Sequence, residues 1–575
     1  MSCSRSYIEH PVFTATMALV QATILHFLYL AIENNWNITQ TPEYLYSFTG
    51  FTVSFPFVLL FIRRNANAGR VIILSLATAI VITLCAYYTG IQSKPVDKVV
   101  AYTIFSVYIF CSLIIVFKAV IYSQLHLSNQ AYSFANLYKN SWRTFIVALE
   151  AAIFSCLLFA ILYLGAELFD VIGIFLFSDL LVKSYIVIPI FTLSFSFAVN
   201  YFQTSEKVAD TIAMVVQTII KFILPVVALI LIGFAISIIF TGVGTLWEKG
   251  PGSTLILWLQ ALALFFVNSV YMGTKKTLPY KSSLHNLTML GIAFLPLYSI
   301  LASYGLWLRV DQYGLTPSRG FGILVNLLIS AFSFSYLAAI ITAKTKWFLI
   351  KNRINQILGI SVVLVCILLN SPILSMQKLS TNSQITKLIE KQLVLDADLW
   401  FFKRNLGSHG YLALQGVKEK MLLTDISFEK RLNEIFSKSN FYSAAHHEAK
   451  TNAGQFEYKT IPENTKIPKV IIEKTFSDNS YRMEKIFIQL DINNDSVKDY
   501  IVITNNNYNH NHHLWLLVND KWVSRPITLK SPTDSVEIDQ LFVDPNSITI
   551  DIEKPKFNHV RLGNSIIFVS PSVSN

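Results

Sequence analysis

IAMVVQTIIKFILPVVALILIGFAISIIF, residues 212–240, carries a single charge, Lys221, and a single proline, Pro225. As a helix rising about 1.5 Å per residue it outreaches the roughly 30 Å hydrocarbon core of a bilayer. Lipid offers the backbone no hydrogen-bond partners, so a run this apolar crosses it as a helix. Ten further stretches of the same kind flank it: Val12–Ile32, Tyr44–Ile62, Val71–Gly90, Val99–Tyr122, Phe145–Gly165, Tyr185–Tyr201, Leu255–Met272, Leu284–Leu308, Phe321–Thr342 and Ile354–Ser371. The first is too long for a cleavable leader and lacks a clear small-residue cleavage site, so it counts as a span. Glu167–Lys183 is apolar but short and holds Asp170 and Asp179, which reads as an interfacial or re-entrant helix. If it spanned, the parity of the array would flip.

The chain is 53% hydrophobic and 14% charged over 575 residues, a balance that excludes an ordinary soluble protein. The expected fold is a polytopic α-helical membrane protein of about 11 transmembrane helices over residues 1–374. A helical juxtamembrane stalk follows over 375–455. An α+β extracytoplasmic domain, mostly antiparallel β, takes 456–575.

The net charge of +11 would fit a polynucleotide binder if it were one patch. Instead the cations lie in short loops, so no nucleic-acid partner is expected. One set of alternating loops holds Arg63, Arg64 and Arg70; Lys139 and Arg143; Lys275, Lys276 and Lys281; Lys344, Lys346, Lys351 and Arg353. The other set is poorer in Lys and Arg. Positive loops stay in the cytoplasm, so the N-terminus is expected inside and the tail outside. In a cell with two membranes this means the inner membrane and the periplasm. The five cysteines show no ligand spacing, and the tail has none.

Three charges fall inside apolar stretches: Glu150, Lys221 and Lys118. Burying a charge in hydrocarbon costs about 2.5–3.5 kcal/mol even on lenient scales, so unpaired burial is disfavoured. All three lie on the cytoplasmic half, which makes Glu150 a candidate partner for Lys221 or Lys118. The pattern fits a proton- or ion-linked site. It equally fits a structural pair, or lysines reaching for the headgroups.

The loop before the tenth stretch reads Arg309-Val-Asp-Gln-Tyr-Gly-Leu-Thr-Pro-Ser-Arg319. Thr316 is a good helix cap and Pro317 a good first-turn residue. Arg309, Tyr313 and Arg319 therefore stand at the outer face as candidates for holding an anion or a lipid headgroup. Past the membrane comes Leu395-Asp-Ala-Asp-Leu-Trp-Phe-Phe-Lys-Arg-Asn-Leu-Gly-Ser-His-Gly410. Through the Tyr-Gly-Leu-Thr-Pro-x-Arg string and this aspartate–aromatic stretch, the chain resembles a bacterial membrane family, domain of unknown function 4153. The resemblance implies an architecture and no reaction, and it brings no catalytic residues.

In the tail, strands are expected at Lys469–Lys474, Lys485–Leu490, Tyr500–Thr504, Leu514–Val518, Ile548–Ile552 and Ser565–Val569, with Asn519-Asp520 as a two-residue turn. Between two of them Asp491, Asn493, Asp495 and Asp499 place oxygens at alternate positions, as in calcium loops. The glycine and the terminal glutamate of an EF-hand are missing, and a metal-free Asx-type turn fits the same residues. No other cofactor is expected. The histidines His510, His512 and His513, with His446-His447-Glu448, read as solvated loops.

No catalytic motif is present. The expected function is that of a non-enzymatic inner-membrane protein, either transporter-like or an envelope sensor or scaffold. Its partners would be membrane lipids and a periplasmic protein or small-molecule ligand. The alternative is a membrane enzyme acting on a lipid-linked substrate at the outer face.

Overall fold

Two compact units make up the chain, residues 1–436 and 437–575. The computed structural model describes residues 11–62, 67–204, 206–244, 246, 252–272, 279–343, 346–390, 394, 396–422, 428–437, 458–462, 465–475, 485–492, 497–504, 512–518, 521–527, 560–562 and 565–567.

The first unit opens with α1 (Pro11–Glu33), α2 (Pro42–Ile62), α3 (Ala68–Gln92), α4 (Tyr102–Leu127), α5 (Phe134–Val171), α6 (Leu176–Leu181) and α7 (Ser184–Phe202). It continues with α8 (Glu206–Thr241), α9 (Gly252–Val270), α10 (Ser282–Ala293), α11 (Leu295–Tyr313), α12 (Pro317–Ala343) and α13 (Trp347–Leu369). Among the described residues 11 segments are long and apolar enough to cross a membrane, with α10 and α11 counted as one. The protein is a multi-pass membrane protein.

Departures from the apolar runs have local causes. α5 starts well before Phe145 because Ser133 caps it, accepting the Asn136 N–H at 3.2 Å. Leu284–Leu308 is two helices rather than one. Pro296 has no N–H to offer the Ile292 carbonyl, and the chain breaks between Ala293 and Leu295. Pro56, Pro189 and Pro225 sit within continuous helices. The ambiguous segment turns at Gly173 (φ 86°) into the six-residue α6, far too short to span.

The helices pack as two halves. Val58, Leu59, Val120, Val147 and Val199 form the core of α2, α4, α5 and α7, with Val71 added by α3. Leu224, Leu231, Val267, Leu295, Tyr298 and Tyr336 form that of α8 to α12. Where α10 meets α8, Gly291 lies directly on the backbone of Ala228. Contacts of α5 with α8, and of α4 and α5 with α13, join the halves. Cys85, Cys111 and Cys366, far apart in sequence, meet in one apolar cluster of α3, α4 and α13.

Four helices follow the bundle: α14 (Met376–Glu390), α15 (Asp396–Asn405), α16 (Gly407–Leu422) and α17 (Phe428–Ser437). Up to Phe436 they belong to the same compact unit. They cover the end of the bundle that carries the α3–α4 loop and the α11–α12 turn, opposite the basic loops.

The second unit holds a sheet of β1 (Lys459–Ile461), β2 (Lys485–Leu490), β3 (Asp499–Thr504), β4 (His512–Val518) and β5 (Lys521–Ile527), in that spatial order. β1 and β2 run parallel and the other neighbours antiparallel, so the sheet is mixed. Lys469–Lys474, read as a strand, is helical (α18, Lys469–Thr475). A parallel pair needs a crossover, and this helix supplies it, burying Ile471 and Ile472 against Phe487, Val502 and Trp515. Val518 pairs with Lys521, leaving two residues for the turn, and these lie outside the described residues. β6 (Val560–Leu562) and β7 (Ser565–Ile567) form a separate antiparallel pair; Ile548–Ile552 lies outside the described residues.

Candidate functional site

Where the halves meet, α4 and α5 face α9, α12 and α13 across a cavity of about 470 Å³. Aromatic rings from Phe117, Tyr122, Phe134, Trp142, Phe145 and Phe265 line most of it. Phe145 and Phe265 are also exposed, so the cavity reaches the lipid-facing surface. Its polar wall is short: Lys118, Ser141, Asn268 and Asn355. Lys118 is half-buried, and among the described residues its ammonium has no ion-pair partner. Gly359 lies beside it, where a Cβ would stand in ordinary contact, 3.8 Å from Nζ.

A hydrogen-bonded cluster holds the amides in place. Asn268 Oδ1 accepts from Asn355 Nδ2 at 2.6 Å and from Tyr336 Oη at 2.8 Å, and Tyr336 also bonds Asn355 Oδ1. One turn before Asn355 sits Lys351, fully buried. Its Nζ donates to the Tyr271 carbonyl at 2.8 Å and lies 4.7 Å from the centre of the Phe134 ring. Tyr271 Oη in turn meets His285 Nδ1 at 3.0 Å. In sequence Lys351 falls among the loop cations, and the asparagines carry no charge that marks them out. The usable signal was an uncharged amide inside a hydrocarbon-length run, which needs an internal partner.

The other intramembrane candidates stand apart. Glu150 is half-buried on α5, and among the described residues no ion pair joins it to Lys118 or Lys221. Lys221 is exposed, with its carbonyl accepting the Tyr280 hydroxyl at 2.6 Å and its ammonium 6.0 Å from that ring. Of the three, only Lys118 borders the cavity.

Arg309, Tyr313 and Arg319 do come together, as parts of a clasp. Gly314 ends α11 at φ 75°, Thr316 Oγ1 accepts the Arg319 N–H at 3.4 Å, and Pro317 begins α12. Arg319 folds back so that Nη1 donates to the Gly314 carbonyl at 2.6 Å, its guanidinium 5.3 Å from the centre of the Tyr313 ring. Arg309 is near enough for its charge to act on Arg319. From α14, Gln384 Nε2 donates to the Tyr313 and Leu315 carbonyls at 3.0 Å, and Ser383 Oγ accepts the Leu315 N–H at 2.9 Å. Lys387 Nζ donates to the carbonyls of Asp311 (2.8 Å) and Gln312 (2.9 Å).

The aspartate–aromatic stretch makes a second clasp. Leu399, Trp400, Phe402 and Leu406 are buried, and Asp396 accepts from Arg431 Nη1 at 2.9 Å. Lys403 is buried too; its Nζ donates to the Ile435 carbonyl at 3.0 Å, and its own carbonyl accepts the Val100 N–H at 3.2 Å. Gly407 (φ 60°) lies so close to the Gln92 carbonyl that a Cβ would meet it at 2.7 Å. Both strings therefore fix the juxtamembrane helices to bundle loops.

Next to this clasp, burial and then the charge of Lys378 hold the His409 imidazole below its ordinary pKa. The folded protein then binds fewer protons here than the unfolded chain. The stabilisation is complete above the ordinary histidine value of about 6.5 and is lost as pH falls below it. Acidification to about pH 5.5 is expected to speed proteolysis within residues 376–437, and His409→Gln to weaken that response.

In the tail, Asn493, Asp495 and His510 lie outside the described residues, as does His446-His447-Glu448. Asp499 is buried, and its Oδ2 accepts the Ile492 N–H at 3.2 Å, next to Asp491 in sequence. His512 is buried in β4 and His513 Nδ1 lies 3.1 Å from Ser524 Oγ.

No curated protein and no solved structure matches this chain. A family model does, the one described as domain of unknown function (DUF4153), over residues 50–415. The match runs from within α2 into α16 and takes in Lys118, Asn268, Asn355, the first clasp and the aspartate–aromatic stretch of the second. With most of its length inside that match, the chain belongs to the domain of unknown function 4153 family.

Proposed function

We propose that this is a non-enzymatic, transporter-like membrane protein that takes an amphipathic anion into the cavity between its two halves. One observation carries the reading. Lys118 faces an aromatic cavity from within a span, with no counter-ion among the described residues. A lysine there costs about 2.5–3.5 kcal/mol on insertion scales, and a bound carboxylate or phosphate offsets that cost. The aromatic walls suit the apolar body of the same molecule, while the exposed rim at Phe145 and Phe265 gives a route in from lipid. Arg319, which a lipid-processing enzyme would need free at the outer face, is engaged in the clasp. The proposed orientation follows the basic loops: N-terminus in the cytoplasm, clasped helices and tail outside, in the inner membrane of a two-membrane cell.

The test is binding of a fluorescent long-chain fatty acid, with the matching fatty alcohol as control, to the purified full chain in detergent. The fatty acid is expected to bind at least about tenfold more tightly than the alcohol, a difference of about 1.4 kcal/mol. Lys118→Met should erase that preference while leaving the fold intact. Equal binding of acid and alcohol, or an unchanged preference in the variant, sinks the reading.

A further inference from the structure

Lys118 borders a second cavity besides the one between the halves, with a volume of about 420 Å³. Both use α4 and α13 as walls; α5, α9 and α12 complete the first, and α3 completes the second. The two cavities share Lys118 and Tyr122, one turn apart on α4, and divide the residues around them. On α13, Gly359 and Val362 line the first while Ile360 and Val363 line the second. Lys118 therefore stands where the two meet.

The second cavity is aliphatic where the first is aromatic. Val81, Ile115, Val363 and Ile367 line it, all of them part of the apolar cluster that holds the cysteines. Thr78 adds a hydroxyl, which donates to the Leu74 carbonyl of its own helix at 2.9 Å. Besides it, only Lys118 and Tyr122 bring polar side chains to the lining, and no carboxylate lines either cavity. Ile360 is 57% exposed, so this cavity too opens onto the lipid-facing surface.

We propose that the anion held at Lys118 is the headgroup of a two-chain lipid, with one acyl chain in each cavity. The proposal rests on the anion reading of Lys118 and adds the shape of the molecule. A single chain fills one cavity and leaves the other without an occupant. Two chains diverging from one acidic headgroup match an ammonium with an apolar chamber on either hand. Each volume lies within the range of ligand sites, about 300–1,000 Å³. Lys118 lies in the half of α4 that leads to the basic loop of Lys139 and Arg143, and its long side chain reaches toward the phosphates of that leaflet. Cations set between spans hold anionic headgroups in this way.

The test uses the full chain in non-ionic detergent, loaded with the fluorescent fatty acid. Short-chain phosphatidic acid and its one-chain lyso form, which carry the same headgroup, are compared as competitors. The two-chain lipid is expected to displace the probe at a concentration at least about tenfold lower than the lyso form. Ala77→Phe and Ala119→Phe fill the second cavity from α3 and from α4. Loss of the two-chain advantage in either supports the proposal, and Ala77, exposed on α3, decides the matter if the Ala119 variant does not fold. Equal displacement by the two lipids, while the fatty acid keeps its preference over the alcohol, overturns the second chain and leaves the anion reading standing. So does a two-chain advantage that survives in Ala77→Phe and in any folded Ala119→Phe. A fatty acid with no preference over the alcohol overturns both.

Discussion

Gly90→Val is expected to yield a chain that reaches the membrane but does not assemble its bundle. Gly90 lies on α3 where that helix crosses the start of α2, and a Cβ there would run into the backbone of Pro42 and Glu43. Backbone in two facing helices cannot move aside as a flexible side chain can. Overpacking in a filled core costs about 1–3 kcal/mol where side chains can adjust, and more where they cannot. Separating the helices would also strain the ion pair between Lys94 and the buried Glu43, which fastens the same crossing. Size-exclusion profiles and melting curves in detergent measure the outcome. A monodisperse variant melting with the parent would mean that α2 and α3 do not meet as described.

Gly314→Val should have a large but local effect, freeing the juxtamembrane helices while the bundle stays folded. The residue sits at φ 75°, a region costing a β-branched side chain about 1–3 kcal/mol. The new Cβ would also stand 2.7 Å from Gln384 Nε2 and 3.2 Å from Ser383 Oγ, the groups by which α14 grips the turn. Those contacts hold Leu315 at both its N–H and its carbonyl, so their loss opens the whole clasp. Limited proteolysis of the purified protein is expected to cut within residues 376–437 much faster than in the parent, with thermal unfolding of the bundle little changed. Unchanged protection would remove the clasp from the account.

The spans were legible in the sequence because lipid is a severe solvent: a run such as 212–240 has no alternative to helix. Even the doubtful Glu167–Lys183 resolves on simple grounds, its acids and its glycine turn leaving only a six-residue helix. What sequence could not supply was adjacency. Lys118 stands out in the sequence as a charge within an apolar run, yet its neighbours Asn268 and Asn355 lie far along the chain. Glu150 and Lys221 looked like partners by depth alone, but depth says nothing of which face of a helix a residue occupies. The Arg309–Arg319 string read as an exposed anion site because its strongest bonds go to carbonyls on its own turn, which carry no side-chain signature. The segment Lys469–Lys474 misled for a related reason. Short apolar runs fit strand or helix equally, and here the parallel pairing of β1 with β2 decides.

The claim beneath all of this is that an odd number of crossings puts the two ends of the chain on opposite sides of the membrane. Its most direct test is a pair of reporters fused after Asn575, alkaline phosphatase for the outside and a cytosol-dependent fluorescent protein for the inside. The account predicts an active phosphatase and a dark fluorescent fusion. A bright fluorescent fusion with an inactive phosphatase would contradict it.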